Sequence, residues 1–75
     1  MTGRLEITLG RSEGALVRLL GLAERRGYPP LLVSAVTTSP DTFKVDLTVE
    51  SDRPLEQLAR QVRKLYDVAT VEIST

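Results

Sequence analysis

Apolar and polar residues alternate from Arg4 to Leu9, with Leu5, Ile7 and Leu9 on one side and Arg4, Glu6 and Thr8 on the other. That period of two predicts a half-buried strand. Gly10 to Gly14 reads as a polar loop. Leu16, Leu19, Leu20 and Ala23 then recur at helical spacing and form one apolar stripe. Ser12 is the expected helix cap, and Glu13 is expected in the first turn, where the helix dipole favours an acid. Arg18, Glu24 and Arg25 are expected on the solvated side. Arg25 and Arg26 suit the negative helix end, and Gly27 is a C-terminal stop signal.

Pro29-Pro30 cannot continue a helix. A strand is predicted from Leu31 to about Thr38, with Leu31, Val33 and Ala35 on one side and Leu32, Ser34 and Val36 on the other. Apolar groups on both sides predict that both are partly covered, and the proline pair suits an edge strand. Ser39-Pro40-Asp41 predicts a turn. Phe43, Val45, Leu47 and Val49 alternate with Lys44, Asp46, Thr48 and Glu50, which completes a hairpin. Ser51 to Pro54 predicts a second helix start with proline in the first turn. Leu55, Leu58, Ala59, Val62 and Leu65 are its stripe, and Glu56 is expected to pair with Arg60 on the surface. Tyr66-Asp67 ends that helix, with Tyr66 expected to pack at the corner. Val68 to Ser74 is the last strand.

The order β-α-β-β-α-β with right-handed crossovers predicts an α+β fold, the ferredoxin-like plait. Its four-stranded antiparallel sheet carries both helices on one face, in the spatial order fourth, first, third, second strand. The second and fourth strands are the edges. The open face carries Arg4, Glu6, Thr8, Lys44, Asp46, Thr48 and Glu50.

Composition narrows the functional classes. Seventy-five residues make one domain, 1–75, with a modest core, so association with another chain is expected. Ten basic and ten acidic residues cancel, and two tyrosines and one phenylalanine offer few stacking platforms. No nucleic-acid partner is expected from that balance. No apolar run reaches the length of a membrane span, so no membrane partner is expected. Cysteine and histidine are both absent. That removes the thiol nucleophile, the commonest general base and the commonest metal ligands, so no catalytic residue and no metal site are expected. An intracellular, non-catalytic domain is the reading these absences favour.

The stretch with the most chemical potential is the loop around Gly14. Free backbone N–H groups at a helix start are a place for a small anion. The same sequence also reads as a tight strand–helix connection in which glycine simply makes the turn.

Three motifs stand in order: Gly14-Ala15-Leu16 at the first helix start, Arg26-Gly27-Tyr28 at its end, and Lys64-Leu65-Tyr66-Asp67-Val68 before the last strand. Together they resemble an ACT domain, most closely that of the regulatory (small) subunits of acetolactate synthase, in the short single-domain form. The resemblance implies a regulatory or stabilising partner of the acetolactate synthase large subunit in branched-chain amino-acid biosynthesis, in the cytoplasm. It implies no cofactor here, since thiamine diphosphate and Mg belong to the large subunit. It implies a homodimer joined through the second strand, at Leu31, Leu32, Val33 and Ala35. It places an effector at Arg11, Ser12, Glu13, Gly14, Ala15, Leu16 and Pro29. Valine-responsive members have asparagine where this chain has Arg11 and Pro29, so valine-insensitivity is expected. A free-standing ACT-type amino-acid sensor is the alternative.

Overall fold

The alternating segments form strands and the striped segments form helices, in a computed structural model that describes residues 2–74. The order is β1 (Thr2–Gly10), α1 (Ala15–Arg25), β2 (Pro30–Ser39), β3 (Thr42–Glu50), α2 (Leu55–Val62) and β4 (Val68–Ser74). The sheet order is β2-β3-β1-β4, with all three strand pairs antiparallel, so β2 and β4 are its edges.

One sheet face makes the core. Leu5, Ile7 and Leu9 of β1 lie beside Leu47, Val45 and Phe43 of β3, and all but Phe43 are fully buried. Ala15, Leu19, Leu22 and Ala23 of α1 and Leu58, Ala59 and Val62 of α2 close over them. The buried stripe of α1 is therefore centred on Leu19, Leu22 and Ala23, and Leu16 and Leu20 flank it, partly buried. Arg4, Glu6, Thr8, Lys44, Asp46 and Thr48 fall on the opposite, open face by register.

Both helix ends show how sequence sets the frame. Gly27 has φ +87°, a conformation that side-chain-bearing residues rarely adopt. Its N–H donates to the Glu24 carbonyl at 3.1 Å, and the Tyr28 N–H reaches the Ala23 carbonyl at 2.9 Å. This paired capping arrangement satisfies two carbonyls that the last turn would leave unpaired. Tyr28 then turns inward. It is only 2% exposed, and its hydroxyl donates to the Pro54 carbonyl at 2.8 Å. That bond ties the end of α1 to the start of α2.

Several expectations are corrected. Pro54 is the N-cap residue of α2 and not in its first turn, and the Ser51 hydroxyl accepts the Arg53 N–H at 3.0 Å in a local turn. Glu56 does not pair with Arg60: among the described residues the ion pairs are Arg4–Glu6 and Arg18–Asp67. Tyr66 does not pack at the corner. Its ring is 92% exposed, because α2 ends at Val62 and the turn that follows carries the ring outward. Neither face of β2 is covered within the chain, and Leu31, Leu32 and Val36 are 57%, 67% and 58% exposed. The helices sit over the centre of the sheet and leave this edge bare. Leu31 also departs from simple alternation. The ladder steps from Pro30–Val49 to Leu32–Thr48, so Leu31 is a bulge residue without a partner.

Candidate functional site

The β1–α1 loop is fixed at three points. The Gly10 N–H donates to the Asp67 carbonyl at 2.8 Å, the Arg11 N–H to the Asp41 carbonyl at 2.9 Å, and the Ala15 N–H to the Ser12 carbonyl at 3.1 Å. Gly14 has φ +78° and serves as the N-cap residue of α1. A side chain there would strain the backbone, so glycine is what permits the sharp entry into the helix.

The side chain of Ser12 is not the cap. Its hydroxyl donates to Asp67 Oδ1 at 2.5 Å. Arg18, one turn into α1, donates from Nε and Nη2 to Asp67 Oδ2 at 3.1 and 2.6 Å. Arg18 Nη1 also donates to the Glu13 carbonyl at 3.1 Å. Glu13 lies before the helix rather than in its first turn, and it contributes that carbonyl. The Ser12 hydroxyl and then the Arg18 guanidinium hold the Asp67 carboxyl below its ordinary pKa, against a smaller opposing effect of burial.

The N-cap residue is Gly14, which has no side chain, so the helix start is open. With no side-chain cap, the N–H groups of Leu16 and Val17 have no acceptor among the described residues. These donors sit at the positive end of α1, which suits a carboxylate or another small anion. The start of the loop lines a cleft of about 430 Å³ with Gly10, Arg11, Ser12, Asp41, Tyr66 and Asp67 around it. Arg11 is held on the hairpin side of this cleft. Its Nη1 donates to the Pro40 carbonyl at 3.1 Å, and its guanidinium lies 5.3 Å from the centre of the Phe43 ring. That distance fits a cation–π contact.

Six of the seven expected site residues form one continuous loop and helix start. Ala15 faces the core and Leu16 is partly buried, so both offer backbone rather than side chains. Pro29 is elsewhere. Its carbonyl accepts the Glu50 N–H at 3.2 Å, at the end of the sheet where Gly3 meets Val49. Arg11 stands at the other end, where Gly10 meets Thr42. Eight strand residues separate the two ends, about 25 Å.

Arg18, Asp67, Tyr66 and Asp41 were not among the expected site residues. Asp67 and Tyr66 had a signal in the Lys64–Val68 motif, whereas Arg18 read as one more surface charge. Only the fold brings it to a carboxylate 49 positions away.

The ACT domain family model matches residues 11–71. The acetolactate synthase small subunit of Buchnera aphidicola subsp. Schizaphis graminum is 35% identical over 69 residues, 89% of this chain and 44% of that protein. The isozyme 3 small subunit of Escherichia coli is 38% identical over 69 residues, 89% of this chain and 42% of that protein. The chain thus spans less than half the length of these curated relatives. Among solved structures, the acetolactate synthase small subunit of Thermotoga maritima superposes with a TM-score of 0.84 at 20% identity, over 97% of this chain and 47% of that one. The ACT domain from GTP pyrophosphokinase of Chlorobium tepidum also gives 0.84, at 17% identity over 99% and 97% of the two chains. At those identities the two structures speak for the fold.

Proposed function

This chain belongs to the ACT domain family, and from that premise we propose that it is a non-catalytic regulatory domain of an acetolactate synthase small subunit. It acts by docking on the large subunit, in the cytoplasm, and shifts that enzyme toward its active conformation. The observation that carries the reading is the similarity to small subunits along 69 residues, at 35–38% identity. The absence of histidine and cysteine fits a chain that leaves the chemistry to its partner. Thiamine diphosphate and Mg then belong to the large subunit.

The regulatory unit in this proposal is a homodimer joined through β2. Leu32 and Val36 on one face of the strand, with Val33 and Ala35 on the other, leave an apolar edge that invites a second strand. The strand directions support the same arrangement. β2 runs parallel to β1, so antiparallel pairing of two β2 strands brings the partner's Pro30 end toward this chain's Arg11 end. Arg11 and Pro29, far apart in one chain, meet across such a seam. The effector site is then shared, and an arginine and a proline at its rim disfavour valine.

The test is reconstitution. Mixing the chain with its cognate large subunit should raise the rate of acetolactate synthesis, and the chain alone should show none. Unchanged rate and unchanged pyruvate affinity on mixing would overturn the proposal and leave the free-standing amino-acid sensor.

A further inference from the structure

A second cleft, of about 240 Å³, lies between the C-terminal end of α1 and the outer side of α2. Arg26, Tyr28, Arg53, Gln57, Arg60 and Gln61 line it, three arginines and no acidic residue. We propose that this cleft binds a diphosphate group, free or as the tail of a nucleotide. The inference does not depend on which enzyme the domain serves.

Arg53 is the fixed member: Nη1 donates to the Arg26 carbonyl at 3.2 Å. A Cβ at Gly27 would stand 3.3 Å from the Arg53 guanidinium carbon, so the bare backbone there lets the group lie flat against the chain. The side chains of Arg26 and Arg60 make no hydrogen bond or ion pair among the described residues. Arg60 has an acid at favourable spacing, Glu56, and yet leaves it unpaired and lines the cleft instead. Glu56 lines a different cleft, with Leu55 and Ile73.

Three like charges around one hollow repel. The negative end of α1 offsets part of this for Arg26, whereas Arg60 projects from another helix. A ligand with two linked phosphoryl groups supplies the missing charge. Its oxygens match the forked N–H geometry of guanidinium, and the Gln57 and Gln61 amides add neutral donors. The volume falls below that of a typical drug-sized pocket, so it holds the diphosphate and leaves the rest of a nucleotide outside. The β1–α1 loop lies at the opposite end of α1, eleven residues or about 16 Å away, so the two sites are separate.

The experiment is an NMR amide titration of the full chain with inorganic pyrophosphate, and in parallel with ADP, at constant ionic strength. Saturable shifts are expected at Gly27, Tyr28, Gln57 and Gln61. Arg60→Gln and Arg26→Gln should each weaken binding about tenfold or more. Both side chains are exposed, so the fold should survive either change. Arg25→Gln, one residue along α1 but outside the cleft, should leave affinity within about twofold. Tighter binding of ADP would assign the nucleotide tail, and equal or weaker binding the free diphosphate. The proposal is overturned by no saturation up to about 10 mM of either probe. An equal loss in Arg25→Gln would also overturn it, since that outcome means diffuse attraction to a basic face.

Discussion

Arg18 and Asp67, 49 residues apart, meet with Nη2 2.6 Å from Oδ2, and the Ser12 hydroxyl closes on the other carboxylate oxygen. Three segments are joined by this contact: the β1–α1 loop, the first turn of α1 and the turn before β4. The loop that presents the free N–H groups of Leu16 and Val17 is therefore held by side chains, not by its own hydrogen bonds alone. Ser12 stands two residues before the N-cap residue Gly14, too early to cap α1, and its hydroxyl goes to the carboxylate instead.

That arrangement predicts a pH dependence. The folded-state pKa of Asp67 is lowered from its ordinary value of 3.8, first by Ser12 and then by Arg18. A lowered carboxyl pKa contributes stability that is fully present above the unfolded value. That contribution is lost as pH falls through the folded value. Asp67→Asn should therefore be less stable than the unmodified chain at pH 7, and the difference should shrink from about pH 4 downward. Urea unfolding of both proteins at neutral and acidic pH checks this. A gap that stays constant with pH would mean that the carboxylate charge is not what holds the loop.

Tyr28 joins the two helices through its bond to the Pro54 carbonyl at 2.8 Å. Tyr28→Phe keeps the ring and removes the donor, so it should cost about 0.5–1.5 kcal/mol. Tyr28→Ala also empties a core position and should cost about 3–5 kcal/mol. Denaturant unfolding at neutral pH separates the two. Equal losses would show that the hydroxyl, not the ring, carries the position.

The strands were legible because burial follows alternation. Leu5, Ile7, Leu9, Val45, Leu47 and Val49 fell on the buried face as a period of two requires. Gly27 was legible as a helix stop because few other residues accept its φ. The failures have two causes: contacts distant in sequence for Ser12, and the bounds of α2 for Pro54 and Tyr66. Ser12 reads as a cap until the fold brings Asp67 to it. Tyr66 and Tyr28 have similar local signals, and only the end of α2 and the turn after it decide which ring is buried. The expected effector residues were legible as a loop. Pro29 lies at the other end of the sheet within one chain, which was not legible because a motif gives order along the chain and not which end of a sheet each piece reaches.

Pairing through β2 predicts a self-association that surface charge should disrupt. Leu32 lies across from Thr48 on the open face, and its side chain contributes nothing to the buried core. Leu32→Lys should leave thermal stability within about 0.5 kcal/mol of the unmodified chain at dilute concentration. It should raise the dimer dissociation constant about tenfold or more, since each copy loses a buried leucine at the seam. Sedimentation equilibrium of both proteins measures this. A monomer for the unmodified chain, or a dimer indifferent to the substitution, would place the association elsewhere.

The valine prediction depends on the same seam. In the proposed site a bound amino acid would set its carboxylate against the Leu16 and Val17 N–H groups, and its ammonium would then need acceptors. Arg11 is donor-only and permanently positive, and the Pro40 carbonyl and the Phe43 ring hold it at this end of the sheet. Pro29 has neither an N–H nor a side-chain amide, and antiparallel β2 pairing brings the partner's copy here. An imperfectly paired polar group costs about 1–3 kcal/mol. Two such losses weaken binding by a factor on the order of a hundred. The unmodified chain should therefore bind valine weakly or not at all by isothermal titration, and the Arg11→Asn/Pro29→Asn double variant should gain binding. Adding Leu32→Lys to that double variant should abolish the gain, because within one chain the two positions stand at opposite ends of the sheet. Tight valine binding by the unmodified chain would show that the loop backbone alone carries recognition. A gain that survives Leu32→Lys would show that the site does not need the seam.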